Sequence, residues 1–174
     1  MKLCSIASGS KGNSTYIESN GTRILIDAGL SGRGIERNLR EIGVDPASLD
    51  AIFVTHEHMD HIKGVGVLAR RYQLDIFANE NTWMAMDRIV GTINSSHMHR
   101  FKHDELVNYK SLEILPIRSF HDCVDGSGFV VQNGSKKISF LTDTGYVNTR
   151  MIEQMSGSDL YFLESNHDLE LLKN

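Results

Sequence analysis

The 174-residue sequence predicts a mixed α/β domain (α+β in some schemes) in which helices pack outside β-sheets. Short apolar runs of strand length alternate along the chain with segments whose apolar residues recur at helical spacing. The composition, 40% hydrophobic and 23% charged, is typical of a globular protein and excludes collagenous, coiled-coil and wholly disordered classes. A chain of this length buries roughly 70% of the surface that its unfolded state exposes, which is enough for a core without disulfide bonds.

The first half of the chain opens with three predicted strands, which Gly-, Asn- and Ser-rich turns arrange as a small antiparallel meander. Helical spacing follows at Ile35, Leu39 and Ile42 and ends at Gly43. A buried strand, an amphipathic helix, a further strand and a second helix complete this half. The predicted bounds are Leu3–Ala7, Ser14–Glu18, Thr22–Asp27, a helix within 31–44, Ala51–Thr55, a helix over Ile62–Tyr72, Asp75–Ala78 and a helix over Thr82–Val90.

The second half is predicted to contain three strands, one short helix and a last strand. Between the halves, His97, His99 and His103 have the same parity along the chain, which could imitate a metal site. They lack a carboxylate partner, so we interpret this stretch as an exposed polar strand. The predicted bounds of the second half are Leu112–Phe120, Gly128–Gln132, Lys137–Leu141, a helix over Thr149–Met155 and Leu160–Glu164.

Several functional classes are excluded by composition and termini. No apolar run reaches the ~18 residues that a membrane-spanning helix needs. The first ten residues contain too short an apolar stretch for a signal peptide. Cys4 and Cys123 form no spaced pattern, which favours a reducing cytoplasm. Eighteen basic and twenty-two acidic side chains give a net charge of −4, so no overall basic character indicates a nucleic-acid partner.

Histidine is the unusual feature of the composition. The chain has eight histidines, and three of them fall within the segment VTHEHMDHI. Residues two apart in an extended chain project to the same side, so His56 and His58 are predicted to face one pocket as half of a metal site. Asp60 and His61 follow at the start of a helix and can face a second centre. Imidazole with carboxylate suits Zn, Mn or Fe rather than Ca.

Further ligand candidates follow apolar strands elsewhere in the chain. His121 lies in SFHD, and Asp143 lies in LTDTG, where a carboxylate could bridge two cations. Asp27, in LIDAG, repeats this strand-end pattern and could hold a ligand histidine by its free N–H. An ordinary surface-loop role for His121 and ordinary turn roles for the two aspartates remain open alternatives.

The motifs LIDAG, THEHMDH, the lone His121 and LTDTG, in this order, resemble the metallo-β-lactamase superfamily. Within it, the segments ASGSKGNS, GVGVLARRYQ, FANENTW and FLESNHD are similar to the YycJ/WalJ-type DNA exonucleases of bacteria. The resemblance covers residues 1–174 and implies one domain with a four-layer αββα sandwich built from two similar halves. Such proteins continue well beyond this end, so we expect the second half to be incomplete at its C-terminus.

The resemblance implies two divalent ions, Mn or Zn, with Mn favoured. One would be held by His56, His58 and His121, and the other by Asp60 and His61, with Asp143 bridging. Relatives supply another ligand histidine and an acid-type histidine from their C-terminal portion, so we expect the second metal shell to be incomplete here. In related nucleases a carboxylate like Glu164 orients that histidine. His167 is the only late histidine, and the missing role is not transferred to it.

The implied activity is hydrolysis of DNA phosphodiesters, as a 5′-to-3′ exonuclease. Two cations about 3.5–4 Å apart lower the pKa of a bridging water and clamp the phosphodiester for in-line attack, and Asp60 and Asp143 could take the water's proton. Because bound cations meet the phosphate, the acidic balance is no obstacle. Candidate phosphate contacts are Ser10, Asn13, Ser14 and His167. Candidate members of a local basic groove are Lys11, Lys63, Arg70, Arg71, Lys102, Lys136 and Lys137.

Two alternatives stay open. The HxHxDH pattern alone does not separate a nuclease from a glyoxalase-like hydrolase of small esters or thioesters, because both reactions use the same bridging hydroxide. A third interpretation is a module that binds metal without turnover. The loop DCVDGSGF after His121 differs from what we expect of close relatives and leaves the substrate preference open.

Overall fold

A computed structural model describes residues 1–164, which contain eleven strands and five α-helices. The strands are β1 Lys2–Ala7, β2 Ser14–Ser19, β3 Thr22–Ile26, β4 Ala51–Phe53, β5 Asp75–Asn79, β6 Met98–Phe101, β7 Val107–Tyr109, β8 Leu112–Arg118, β9 Ser127–Asn133, β10 Lys136–Leu141 and β11 Leu160–Leu163. The helices are α1 Gly32–Glu41, α2 Met59–Ile62, α3 Val65–Tyr72, α4 Glu80–Val90 and α5 Thr149–Met155. None of the helices in this part of the chain is both long and apolar enough to cross a membrane.

The strands form two mixed sheets. The first has the order β1-β2-β3-β4-β5-β6 and the second the order β11-β10-β9-β8-β7. Strands β1 to β3 form the predicted antiparallel meander, and β3 to β6 are parallel neighbours. In the second sheet only β10 and β11 pair in parallel. Parallel neighbours end at one edge of a sheet, so the loops after β3, β4 and β5 lie together.

The side chains of the central strands alternate between two packed layers, as a strand buried on both faces requires. In β3, Leu25 packs with the helices, whereas Ile24 and Ile26 pack between the two sheets. A third cluster joins the second sheet to α5, and it contains Val130 of β9 and Met151 of α5. The layers therefore run helix, sheet, sheet, helix, and the predicted αββα sandwich is confirmed.

Aromatic rings fill part of the space between the sheets. Phe53 and Phe77 stack with their centroids 4.3 Å apart, and Phe77 stacks on His99 at 4.6 Å. On the other face of the first sheet, Trp83 of α4 is buried, and its Nε1–H donates to the His99 carbonyl at 2.9 Å. These contacts tie α4 and the parallel strands into one packed unit.

The predicted helix over Ile62–Tyr72 corresponds to α3, which begins at Val65; Ile62 ends the separate short helix α2, and Gly64 lies between the two helices. The Gly64 N–H donates to the Ala28 carbonyl at 2.7 Å, and a Cβ at this position would come within 2.6 Å of the Leu30 carbonyl oxygen. The loop after β3 therefore occupies the space beside the helix and divides it. Apolar periodicity continues through the break, which is why the pattern did not reveal it.

The stretch around His97 also differs from its prediction. Residues 98–101 are strand β6, but the histidines do have carboxylate partners, so that part of the interpretation is wrong. His97 Nδ1 lies 2.8 Å and His99 Nε2 3.1 Å from Asp75 Oδ1, and His103 Nδ1 lies 3.8 Å from Asp125 Oδ1. The pairing of β5 with β6 brings Asp75 to these rings, and the sequence spacing does not predict that pairing.

Candidate metal centre

The candidate ligands meet at one edge of the sandwich, where loops from both sheets converge. Each loop follows the end of a strand, so a rigid sheet fixes the point from which it starts. From the first sheet come the loop after β3 and the loop between β4 and α2. From the second sheet come the loops after β8, β10 and β11. The side chains that these loops and helix α2 contribute are Asp27, Thr55, His56, His58, Asp60, His61, His121, Asp143 and Glu164.

Three histidines form the first ligand group. His56 Nε2 lies 3.1 Å from His58 Nδ1, and the His121 ring centroid lies 5.1 Å and 5.2 Å from those of His56 and His58. One ring nitrogen of each histidine lies within 4.8 Å of the other two. Ligand nitrogens on one tetrahedral ion are roughly 3.3 Å apart, given metal–nitrogen distances of about 2.0 Å. Small side-chain rotations would therefore bring all three nitrogens onto one ion.

The second group consists of His56, His61 and Asp143, whose ligand atoms also lie within 4.8 Å of one another. His61 Nε2 is 3.5 Å from Asp143 Oδ2 and 3.6 Å from Asp60 Oδ2. The other oxygen of Asp143, Oδ1, is 3.9 Å from His121 Nε2. The two oxygens of Asp143 thus face the two groups separately, as a bridging carboxylate would.

Asp27 fixes the orientation of the His61 ring from the buried side of the site. Its Oδ1 accepts the Thr55 N–H at 2.8 Å, and its Oδ2 accepts the Thr55 hydroxyl at 2.7 Å and lies 2.8 Å from His61 Nδ1. Asp27 and His61 are each only 1% exposed. Because Nδ1 is engaged with Asp27, the opposite nitrogen, Nε2, points to Asp60 and Asp143.

The electrostatics of this edge differ sharply between neighbouring rings. Burial lowers the pKa of His56 to about 4, and the charge on His61 acts in the same direction. Burial also acts to lower the pKa of His61, but the charge of Asp27 and its hydrogen bond, with the charges of Asp143 and Asp60, outweigh burial and raise it to about 9. Negative charge around His61 is the environment that a cation requires.

Asp27 and Asp143 share an uncommon backbone conformation. Asp27 has φ 61° and Asp143 has φ 51°, in the left-handed region that few residues other than glycine adopt. Asp27 comes directly after β3 and Asp143 two residues after β10. Strained conformations of this kind cluster at functional sites, and here each turns a carboxylate into the shared edge.

The Gly-rich turn before β2 contacts the second group through Asn13. Asn13 Nδ2 donates to Asp60 Oδ2 at 3.2 Å and lies 3.1 Å from His61 Nε2. Ser10 is exposed at the tip of the turn. Ser14 is 1% exposed and its hydroxyl donates to the Asp27 carbonyl, and it lines a cavity of about 260 Å³ together with Asn13 and Asp143. The candidate His167 lies outside the described residues.

Sequence reasoning missed two supporting contacts. Glu57 lies between His56 and His58, and its Oε1 accepts the Val124 N–H at 2.8 Å. This hydrogen bond connects the loop after β8, which carries His121, to the loop between β4 and α2. Glu164 accepts the Asp143 N–H on Oε2 at 2.7 Å. The charge of Glu57 inside the histidine motif was visible, but its partner lies 67 positions away and only the fold brings the two together.

The fold and the ligand loops can be compared with known proteins. Residues 22–171 match a family described as "Beta-lactamase superfamily domain". The chain belongs to the metallo-β-lactamase superfamily. The metallo-β-lactamase fold protein YhfI of Bacillus subtilis has a TM-score of 0.71 and 17% identity, over 91% of this chain and 68% of that chain. At this identity, the likeness to the solved structure concerns the metallo-β-lactamase fold alone.

Two relatives with higher identity are named exodeoxyribonucleases. The chain is 43% identical to exodeoxyribonuclease WalJ of Streptococcus pneumoniae, over 99% of this chain and 65% of that protein. It is 38% identical to exodeoxyribonuclease YycJ of Bacillus anthracis, over 97% of this chain and 64% of that protein. The chain therefore spans just under two thirds of the length of these metallo-β-lactamase relatives.

The donor set of the centre suits divalent metal ions. Neutral imidazoles and carboxylates are the ligands that Zn, Mn and Fe accept; the first group offers three imidazoles and the second two imidazoles and a carboxylate, in each case within 4.8 Å. The hydrogen bond between Asp27 and His61 is the usual way in which a metal-binding histidine is held in one tautomer. The chemistry of the site is thus consistent with the superfamily's metal-dependent members.

Proposed function

We propose that the protein is a metal-dependent DNA exonuclease that acts from the 5′ end. The observation that carries the proposal is the pair of ligand groups at one edge of the sandwich, which share His56 and which the two oxygens of Asp143 face. The named activity of the WalJ and YycJ relatives supports DNA as the substrate. The proposal includes a cytoplasmic setting, with which the two free thiols, Cys4 and Cys123, are compatible.

In this proposal two divalent ions, Mn or Zn, are held by the chain. His56, His58 and His121 would hold one, and Asp60 and His61 would hold the other, with the carboxylate of Asp143 available to both. Bound there, the ions would supply positive charge for the phosphodiester and lower the pKa of an attacking water. No side-chain nucleophile is needed.

The side chains around the ions orient the ligands and carry the proton. The carboxylates of Asp60 and Asp143, each within 3.6 Å of His61 Nε2, are placed to accept the proton of the attacking water. Asp27 holds His61 through Nδ1. Glu164 acts as a positioning residue, because its carboxylate fixes the Asp143 backbone.

The test is degradation of a 5′-labelled DNA duplex with Mn²⁺ or Zn²⁺ added. We expect the wild-type chain to release short labelled products, and we expect phosphorothioate linkages at the 5′ ends, but not at the 3′ ends, to block release. His58→Ala removes one of three nitrogens from the first group, so activity should fall by at least about a hundredfold, the scale that removal of catalytic machinery produces.

His97→Ala is the matched control, because His97 contacts Asp75 at 2.8 Å and no metal-ligand candidate. It should cleave DNA like the wild type. Equal activity of His58→Ala and His97→Ala would contradict the proposal. Turnover of a thioester far above any DNA cleavage would favour the glyoxalase-like alternative. Metal bound without turnover of either substrate would favour the binding module.

A further inference from the structure

A groove of about 510 Å³ opens beside the second ligand group. Asp60 lines it, and Asp60 Oδ2 lies 3.6 Å from His61 Nε2, so the groove begins where the candidate centre ends. The remaining lining residues are Ser10, Lys11, Gly29, Met59 and Lys63. The groove therefore joins the tip of the Gly-rich turn to helix α2.

Within residues 1–164, the two lysines of this groove differ from the others because their ammonium groups have neither an ion pair nor a hydrogen bond. Over residues 1–164, Lys11 and Lys63 make no ion pair, and both are exposed. The other lysines of this part of the chain are engaged. Lys2, Lys102, Lys110 and Lys136 each pair with a carboxylate, and Lys137 donates to the Ser156 carbonyl. In this part of the chain, the lysine ammonium groups without a partner therefore lie at this groove.

A second groove, of about 550 Å³, is lined by Phe120 and Asp125 of the His121 loop, but its charges are balanced. Arg118 pairs with Asp125 at 3.3 Å and Arg150 with Asp104 at 2.8 Å. Its lysine, Lys102, pairs with Glu105 at 3.5 Å. An anionic strand would have to break these pairs, whereas it meets free ammonium groups in the first groove.

The base of the Gly-rich turn fixes the position of Lys11. Asn13 N–H donates to the Asp60 carbonyl at 2.7 Å, and the Asn13 carbonyl accepts the Gly29 N–H at 2.8 Å. A Cβ on Gly29 would overlap the Asp60 carbonyl oxygen, so the two loops approach as closely as glycine allows. The exposed tip thus stands at a fixed place relative to α2, and Lys63 caps the end of that helix.

We propose that this groove binds the phosphodiester backbone of the DNA strand next to the bond that is cleaved. Lys11 and Lys63 meet phosphates, the Ser10 hydroxyl donates to one of them, and Met59, 51% exposed, contacts a sugar or base. The inference rests on the proposed nuclease function and specifies the path of its substrate. Lysine contacts to phosphate raise affinity for every sequence and make it sensitive to salt.

The test measures binding without chemistry. A fluorescein-labelled single-stranded 12-mer is titrated with the full chain in EDTA, and anisotropy gives the Kd at several salt concentrations. The variants are Lys11→Ala, Lys63→Ala and both together, with Lys11→Arg and Lys63→Arg to restore the charge. Lys102→Ala is the matched control, since it removes an exposed lysine from the balanced groove.

We expect each of the two alanine variants to reduce the slope of log Kd against log salt by about 0.7, the value for one contact to single-stranded DNA. The double variant should bind at least tenfold more weakly at low salt, while the arginine variants and Lys102→Ala retain wild-type binding. Circular dichroism confirms folding of each variant. Wild-type affinity and slope in the double variant, or an equal loss in Lys102→Ala, would overturn the inference.

Failure of this inference can be told apart from failure of the proposed function. If the wild type degrades DNA and the double variant does so with unchanged KM and unchanged binding, the proposed DNA-binding role of the groove is wrong and the exonuclease function is retained. If binding depends on the two lysines but no metal supports cleavage, the DNA-binding role is retained and the exonuclease function is wrong. An absence of DNA binding by the wild type at low salt overturns the groove.

Discussion

Asp27 illustrates how a single buried carboxylate organises the candidate centre. It accepts hydrogen bonds from both the backbone and the hydroxyl of Thr55 and contacts His61 Nδ1, all from a left-handed backbone. Asparagine tolerates that backbone conformation better than most residues and differs from aspartate mainly in charge and in one donor. The substitution therefore isolates the carboxylate's role.

We predict that Asp27→Asn weakens metal binding by about ten- to a hundredfold, the range seen when a group supporting a metal ligand is altered. The new amide N–H faces donors, so one buried bond is lost, at a cost of about 1–3 kcal/mol in unfolding free energy. Calorimetric metal titration and urea unfolding measure the two effects. Unchanged metal affinity would mean that Asp27 does not set the orientation of His61.

The sequence predicts which residues face the centre better than it predicts what holds them. His56, His58 and His61 lie within six consecutive positions at the loop between β4 and α2 and the start of α2, so their closeness follows from the sequence itself. The partner of Glu57, by contrast, is decided by a contact between loops of the two sheets, and the partner of Glu164 by the pairing of β10 with β11. No pattern within one segment carries that information.

At the scale of elements, the approach of two loops depends on Gly29. We predict that Gly29→Ala lowers the unfolding free energy by about 1–3 kcal/mol, since the added methyl forces the Gly-rich turn and the start of α2 apart. Urea unfolding gives the loss, and metal titration should show weaker binding because Asp60 moves with its carbonyl.

Gly145→Ala is the control for that change. The nearest atom to a Cβ there is the Phe120 carbonyl oxygen at 3.7 Å, an ordinary contact. This variant should remain within about 0.5 kcal/mol of the wild type, as surface substitutions usually do. Equal unfolding free energies of the two alanine variants would show that separating the two loops at Gly29 does not destabilise the fold.

The loop carrying His121 gives a second prediction at this scale. Glu57→Ala removes the acceptor of the Val124 N–H, which frees the loop, so we expect up to about tenfold weaker metal binding at the three-histidine group. Glu57→Gln keeps an oxygen acceptor and should restore most of the affinity. Cobalt absorption spectra report the ligand geometry directly, and identical spectra and affinities for both variants would exclude this positioning role.

The strands and helices were predicted correctly where the hydrophobic periodicity of the segment determines them, and incorrectly where contacts with neighbouring segments determine them. All the predicted strands are present within a few residues, because apolar runs bounded by turn residues define them. The division between α2 and α3 arises from the loop after β3, and β7, only three residues long, is set by its pairing with β8. Neither cause is visible in the segment itself.

At the scale of the whole molecule, the two halves repeat one arrangement. In each half a strand pairs antiparallel with the strand before it and parallel with a later strand: β3 with β2 and β4, and β10 with β9 and β11. An aspartate in left-handed conformation follows each central strand. The resemblance to the superfamily predicted two similar halves, while the sequence itself shows no repeat because the shared features are backbone features.

The stability of the metal-free protein should depend on pH through two histidines. His61 has a pKa of about 9 in the folded state against 6.5 in the unfolded chain, so its contribution is complete below pH 6.5 and is lost as pH rises towards 9. His56 has a folded pKa of about 4, so the unfolded chain takes up its proton first, and stability falls as pH drops below 6.5.

We therefore expect urea unfolding in EDTA to show greatest stability near pH 6.5. His61→Gln should flatten the fall on the alkaline side, and saturating metal should do the same, because a bound ion takes the place of the proton on Nε2. A His61→Gln variant with the same alkaline fall as the wild type would assign that fall to other groups.

The position of Trp83 has a practical consequence for following such unfolding. It is the one tryptophan of the sequence, and its indole is buried in the helical layer outside the first sheet. Its fluorescence therefore reports on that half of the sandwich, whereas far-UV circular dichroism reports on both. Because residues of both sheets, such as Phe53 and Phe129, pack in one cluster, the two signals should change at the same urea concentration. A native fluorophore thus reveals, without any label, whether the halves unfold as one cooperative unit.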